Sequence, residues 1–215
     1  MRRAAGVLVV VVPLGVWGWW HYTFPYGWSH SCSKCLGMSL RLYAEDNNGL
    51  LPCGAATPEG SLSLLLKSDP SVKRALRGKN ISQRTVDEAI ARDGLLGPAS
   101  CGWHYVEGLR ESDDLQIAVV WDKAIGLSHN GERASGLMHE VVMLDGSMQY
   151  ITRKHWPEFV EQQKRLLIAA MAERGTNDPP IRWSDEAALG VNVSKPRAKT
   201  NSQNMDGTSK AKDSI

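Results

Sequence analysis

The chain has 215 residues, with 25 Lys and Arg against 23 Asp and Glu and a formal net charge of +2 at pH 7. That length holds one globular domain of ordinary size with short extras, and excludes a second full one. Balanced charge, with no cluster of Lys and Arg interleaved with aromatics, excludes the electrostatic footprint of nucleic-acid binding.

Met1-Arg2-Arg3 leads into seventeen residues, 4–20, that carry no charged side chain, the lower limit for a helix that spans a bilayer. Trp17, Trp19 and Trp20, followed by Tyr22, Phe24, Tyr26 and Trp28, make an aromatic belt of the kind found at membrane interfaces. The expectation is a single-pass anchor over 1–21 in the cell membrane, with a cytoplasmic N-terminus set by Arg2 and Arg3 and an extracytoplasmic domain over 22–175. A cleaved signal peptide is the alternative; it needs small residues after the apolar core, where Trp-Gly-Trp-Trp-His stands instead. Pro13 is tolerated in a membrane helix.

Cys32-Ser33-Lys34-Cys35 opens a segment with Leu36, Leu40 and Tyr43 at helical spacing, closed by Asp46-Asn47-Asn48-Gly49. Thr57-Pro58-Glu59 starts a further helix. Short helices follow over Ser71 to Arg77 and over Thr85 to Arg92, the latter with Thr85 and Glu88 placed as a capping box. The basic loop Arg77-Gly78-Lys79-Asn80 between them reads as solvated. Gly102 to Val106, Gln116 to Trp121, His139 to Leu144 and Met148 to Thr152 are β-branched and aromatic runs, hence strands. Asp145-Gly146 joins the last two, and a two-residue type I′ turn is expected there. Asp122 to Met138 is a polar, Gly-bearing surface loop. Trp156-Pro157-Glu158 begins a closing helix, and the tail from Thr176 to 215 lacks the apolar residues that offset ordering, so disorder is expected. The sum is an α+β chain: an N-terminal membrane helix, then a domain with an antiparallel sheet of about four strands and a C-terminal helix.

Two stretches carry a resemblance. The segment CLGMSLRLYAEDNNGLLP, and the order VVWDK, His-Asn-Gly, VVMLDGSMQYI, resemble bacterial pseudopilin-like proteins, whose C-terminal signature is His, nine residues, then Asp-Gly. Here fifteen residues separate His129 from Asp145, and five separate His139 from it. The processing motif also differs: Val11 stands five residues after Gly6, where the family has Glu. The resemblance implies a pilin-like domain that does not polymerise by the family's usual route. It implies a structural or interaction role at the cell envelope linked to type II secretion, with the membrane and other envelope or secretion proteins as partners. It singles out His129, Asp145 and Gly146 as motif residues.

Cys32, Cys35, Cys53 and Cys101 form the most informative polar set. Three readings stay open: structural disulfides, including a Cys53 to Cys101 staple; a zinc site at the four cysteines, with no other cofactor implied; and thiol-disulfide exchange at Cys32 and Cys35. Leu36 stands where c-type haem attachment needs His. His104, His129, His139 and His155 match no ligand spacing, and Asp113, Asp114, Asp122 and Asp145 lack the order of a calcium loop. No Gly-x-Ser-x-Gly, Walker loop, His-Glu-x-x-His or Gly-x-Gly-x-x-Gly occurs. No catalytic residue is therefore assigned, and a non-enzymatic role leads. A thiol oxidoreductase and a zinc-stabilised binding module are the alternatives.

Overall fold

The computed structural model describes residues 2–28, 31–176 and 178–184, with the backbone alone for 2–11. Helix α1 (Arg2–Thr23) forms over the apolar run as expected. The expected membrane helix is nonetheless overturned: among the described residues no helix is long and apolar enough to cross a membrane. From Val12, where described side chains begin, α1 carries Pro13, Gly15, Gly18, three Trp and His21. Those rings and small residues dilute the aliphatic character a span needs. Its Leu14, Val16, Trp17 and Trp19 lie exposed.

The chain from α1 is tied to the body. Arg77 donates to the carbonyls of Trp28 (2.9 Å) and Tyr26 (2.8 Å), and Arg133 donates through Nε to that of Tyr22 (2.8 Å). Helix α2 (Ser33–Asp46) follows, with Leu36, Gly37, Leu40 and Ala44 buried along one face. Short helices α3 (Pro58–Leu62), α4 (Leu65–Ser68) and α5 (Lys73–Leu76) come next, with a 3-10 turn over Pro70–Val72 and then α6 (Gln83–Asp93). Thr57 caps α3 as expected. In α6 the cap is Ser82, whose hydroxyl accepts from the Thr85 amide at 3.1 Å, so the helix starts two residues before the expected Thr85.

The sheet has five antiparallel strands in the order β4-β3-β2-β1-β5: β1 (Trp103–Glu107), β2 (Ala118–Asp122), β3 (Met138–Met143), β4 (Met148–Thr152) and β5 (Arg182–Trp183). Four match the runs read from sequence. The fifth lies in the segment expected to be disordered: Ile181 and Trp183 are buried, and β5 pairs with β1 through Val106 opposite Trp183. A Trp that loses its surface to the core contributes enough to order the short strand carrying it. Residues 185–215 lie outside the described residues.

Alternation along the strands builds two cores. Trp103 donates from its indole to Ala75 O (2.6 Å) and Tyr105 from its hydroxyl to Pro52 O (2.7 Å), so both face the layer of α2 to α6. Trp121 faces the other way, onto α7 (Trp156–Ala172), beside Trp156, Phe159 and Val160. Gln163 of α7 accepts from Ala118 N (2.7 Å) and donates to Gln116 O (3.0 Å), satisfying the start of β2.

The Asp145-Gly146 turn differs in detail from the expected type I′. Only Gly146 has positive φ (+80°), and Met143 N donates to Ser147 O while Gly146 N donates to Met143 O. That is a three-residue connection with Gly in the left-handed position, which Asp145 need not enter.

Candidate functional site

The N-terminus of α2 begins at Cys32, an extended residue whose Sγ accepts from the Cys35 amide at 3.1 Å, as a capping oxygen would. Cys32 and Cys35 are joined as a disulfide with Cα atoms 5.1 Å apart. Cys35 is exposed and Cys32 half-buried. Between them Ser33 is buried and donates to Glu140 Oε1 on β3.

Glu140 belongs to a buried charge cluster. Lys79 Nζ sits 2.6 Å from Glu140 Oε2 and 2.9 Å from Asp122 Oδ2, with all three side chains no more than 5% exposed. Asp122 and Glu140 come from neighbouring strands, facing each other across the β2–β3 pair, and Lys79 closes over them from the loop after α5. Burial works against the lysine charge, but Asp122 and Glu140 outweigh it and hold the ammonium above its ordinary range. Asp122 Oδ1 also meets His139 Nδ1 at 3.2 Å, and that ring stacks on Trp156 with centroids 3.7 Å apart.

A cleft of about 770 Å³ opens beside this cluster. Its walls are Ser31 to Lys34 at the head of α2, Lys79 and Glu140, the loop from Leu127 to Gly136, and Met148 and Tyr150 of the outer strand β4. His129 lies in that loop, where its carbonyl accepts from Ser31 N at 2.9 Å. One polar atom in the wall stands unanswered: the buried Ser31 hydroxyl has no hydrogen-bond partner among the described residues.

The structure thus brings Cys32 and His129 to one cleft, with Cys35 exposed beside it through its bond to Cys32, and leaves Cys53, Cys101, Asp145 and Gly146 elsewhere. Cys53 and Cys101 remain free thiols, so the expected staple between them does not form. Burial pushes the Cys101 thiol up to about 11, and desolvation followed by the Glu107 charge raises Cys53. With Cys32 and Cys35 paired, the four cysteines do not gather, and among the described residues no group of three or more His, Cys, Asp or Glu is placed to hold a metal. Asp145 and Gly146 line a separate cavity of about 340 Å³ with Gly37 and Leu40 on the flank of α2. Asp145 accepts there from Ser147 N at 2.8 Å, a turn role.

Sequence reading missed Lys79, which was expected in a solvated loop and is 4% exposed. A signal existed in the strands. Asp122 and Glu140 each fall at the in-facing parity of a β-branched run, in step with Val120 and Val142, and a carboxylate there demands a buried cation.

Comparison of the chain with family models, with curated proteins and with solved structures finds no match.

Proposed function

We propose that this chain is a pilin-like interaction domain of the bacterial cell envelope, which binds a segment of an envelope or secretion protein in the cleft at the head of α2. The observation that carries the reading is the seating of α2 on the sheet. The two stretches that resemble pseudopilin-like proteins are packed into one unit, with Gly37 of α2 so close to β3 that a Cβ there would meet Val142 Cγ1 at 3.1 Å. Two surfaces fit an interaction role. The cleft lies along the outer strand β4, which among the described residues pairs only with β3 and offers its other edge to an extended chain. Helix α1 exposes a run of large apolar side chains, and such patches mark protein contact sites.

Capture from envelope extracts with the full chain tests this, comparing wild type with Gly136→Trp. Gly136 lines the cleft, and a Cβ there meets nothing closer than the end of the Met138 side chain, 3.4 Å away. The indole then fills the cleft without straining the backbone. The expected result is capture of a secretion or pilus-type assembly component by wild type, lost in the variant. Equal capture by both, or capture of no such component, refutes the reading.

A further inference from the structure

A disulfide across Cys-x-x-Cys does little to hold a fold. It spans one helical turn and joins no two elements, and the chain-entropy gain of a cross-link grows with the loop it closes. Its placement here suits exchange instead. Cys35 is exposed, next in sequence to Lys34 of the cleft wall and bonded to Cys32, which lines the cleft, so it is open to an incoming thiolate. Cys32, the sulfur that would leave, accepts the Cys35 amide N–H at the N-terminus of a 14-residue helix. Backbone donors and the positive end of the helix dipole stabilise a thiolate there, and a stabilised leaving thiolate departs faster. Ser33, pinned to buried Glu140, holds the turn in place when the bond opens.

A second observation points to a ligand. The Ser31 hydroxyl, adjacent to Cys32, is 2% exposed, lines the cleft and has no partner among the described residues. Such a group is left unpaired only at a cost unless something entering the cleft answers it.

We propose that Cys32 and Cys35 form a thiol-disulfide exchange centre that oxidises a dithiol in an extended polypeptide segment lying in the cleft. A client thiolate attacks Cys35 Sγ; the Cys32–Cys35 bond breaks, and Cys32 leaves as a thiolate held by the Cys35 amide. The client's second thiol loses its proton to water, and its sulfur attacks the client sulfur of the mixed disulfide. Cys35 is expelled as a thiolate, and it and Cys32 each take a proton from solvent. The client loses two electrons and gains a disulfide; the pair gains two electrons and becomes a dithiol. Ser31 hydrogen-bonds the client backbone and is a positioning residue. Cys53 and Cys101 take no part, since Cys101 is fully buried and both thiols resist ionisation.

This inference shares the cleft with the interaction reading but not the partner's identity. The test uses the oxidised full chain with two probes, a synthetic extended peptide bearing two reduced cysteines and dithiothreitol. Acid quenching, alkylation and mass mapping then follow residues 32–35. The expected result is stoichiometric transfer of the disulfide to the peptide. Ser31→Ala slows that transfer about fivefold, the weight of one hydrogen bond, and Gly136→Trp abolishes it. The dithiothreitol rate of each variant reports that the pair is in place and accessible, and the peptide rate is read relative to it. A pair that stays oxidised in the folded chain under excess peptide, or a peptide rate indifferent to both substitutions, overturns the proposal. No envelope component enters the assay, so failed partner capture and failed exchange are separate results.

Discussion

Replacing Lys79 by Met removes the ammonium that bridges two buried carboxylates. Nζ is 2.6 Å from Glu140 and 2.9 Å from Asp122, and the three side chains are 5%, 5% and 1% exposed respectively. Breaking one side of a buried pair costs about 3–5 kcal/mol, because the remaining charge is left uncompensated in a poor solvent. For a domain of this size that is a loss of roughly 6–20 °C in Tm. Urea denaturation of the full chain at pH 7, read by tryptophan fluorescence, gives the difference directly from the midpoint and slope. A triple variant with Asp122→Asn and Glu140→Gln recovers much of the loss, because neutral groups are cheaper to bury than unpaired charges. A loss below about 1 kcal/mol, the worth of an exposed ion pair, would refute the account of a buried, mutually dependent cluster.

Other substitutions probe the remaining joints of the fold. In Gly102→Ala the added Cβ would lie 2.2 Å from Arg77 O and 2.7 Å from Gly78 Cα, both backbone atoms. A loss at the upper end of about 1–3 kcal/mol is expected in chemical denaturation. Trp183→Ala removes the buried anchor of β5, with an expected cost of about 3–5 kcal/mol; a neutral result would detach that strand from the core. Alkaline titration addresses Cys101, raised from 9.0 to about 11. A raised folded value keeps its contribution below the unfolded pKa and loses it as pH rises, so stability falls by about 2–3 kcal/mol between pH 9 and 11. Lys79, also raised, adds a loss of the same sign at still higher pH, because its free-chain value is already near 10.5. Native Cys101 alkylates only after unfolding. Cys35→Ala opens the four-residue disulfide loop and costs no more than about 2 kcal/mol by the chain-entropy relation, leaving the far-ultraviolet circular dichroism unchanged.

Periodicity and turn chemistry made most of the fold legible in the chain. The leucines of α2, the alternating runs of β1 to β4, the Pro-led starts of α3 and α7 and the Asp-Gly turn are all local signals. Each needs only neighbours within a few residues to be decided. Cys32-Ser33-Lys34-Cys35 at a helix start was legible for the same reason, since its disulfide closes within one turn.

What local pattern could not fix was settled by contacts between distant segments. Lys79 and Glu140 are 61 positions apart in sequence, and only the closure of the loop after α5 over β2 and β3 turns a solvated lysine into a buried one. Val106 and Trp183 meet because the chain returns past α7 to the edge of β1, which gives order to a segment whose own composition could not offset its entropy. The partner of a cysteine is equally a tertiary matter. The sequence left structural disulfides, a zinc site and an exchange pair open among four residues, and the packing of Cys101 into the core and of Cys32 against Cys35 pairs two of them and leaves Cys53 and Cys101 free. The sequence determined which segments are helix, strand and turn, because those are short-range steric and hydrogen-bonding preferences. The tertiary structure decided which charges are buried, which thiols are paired and where the cleft opens, because each depends on how much water the rest of the chain excludes from that point.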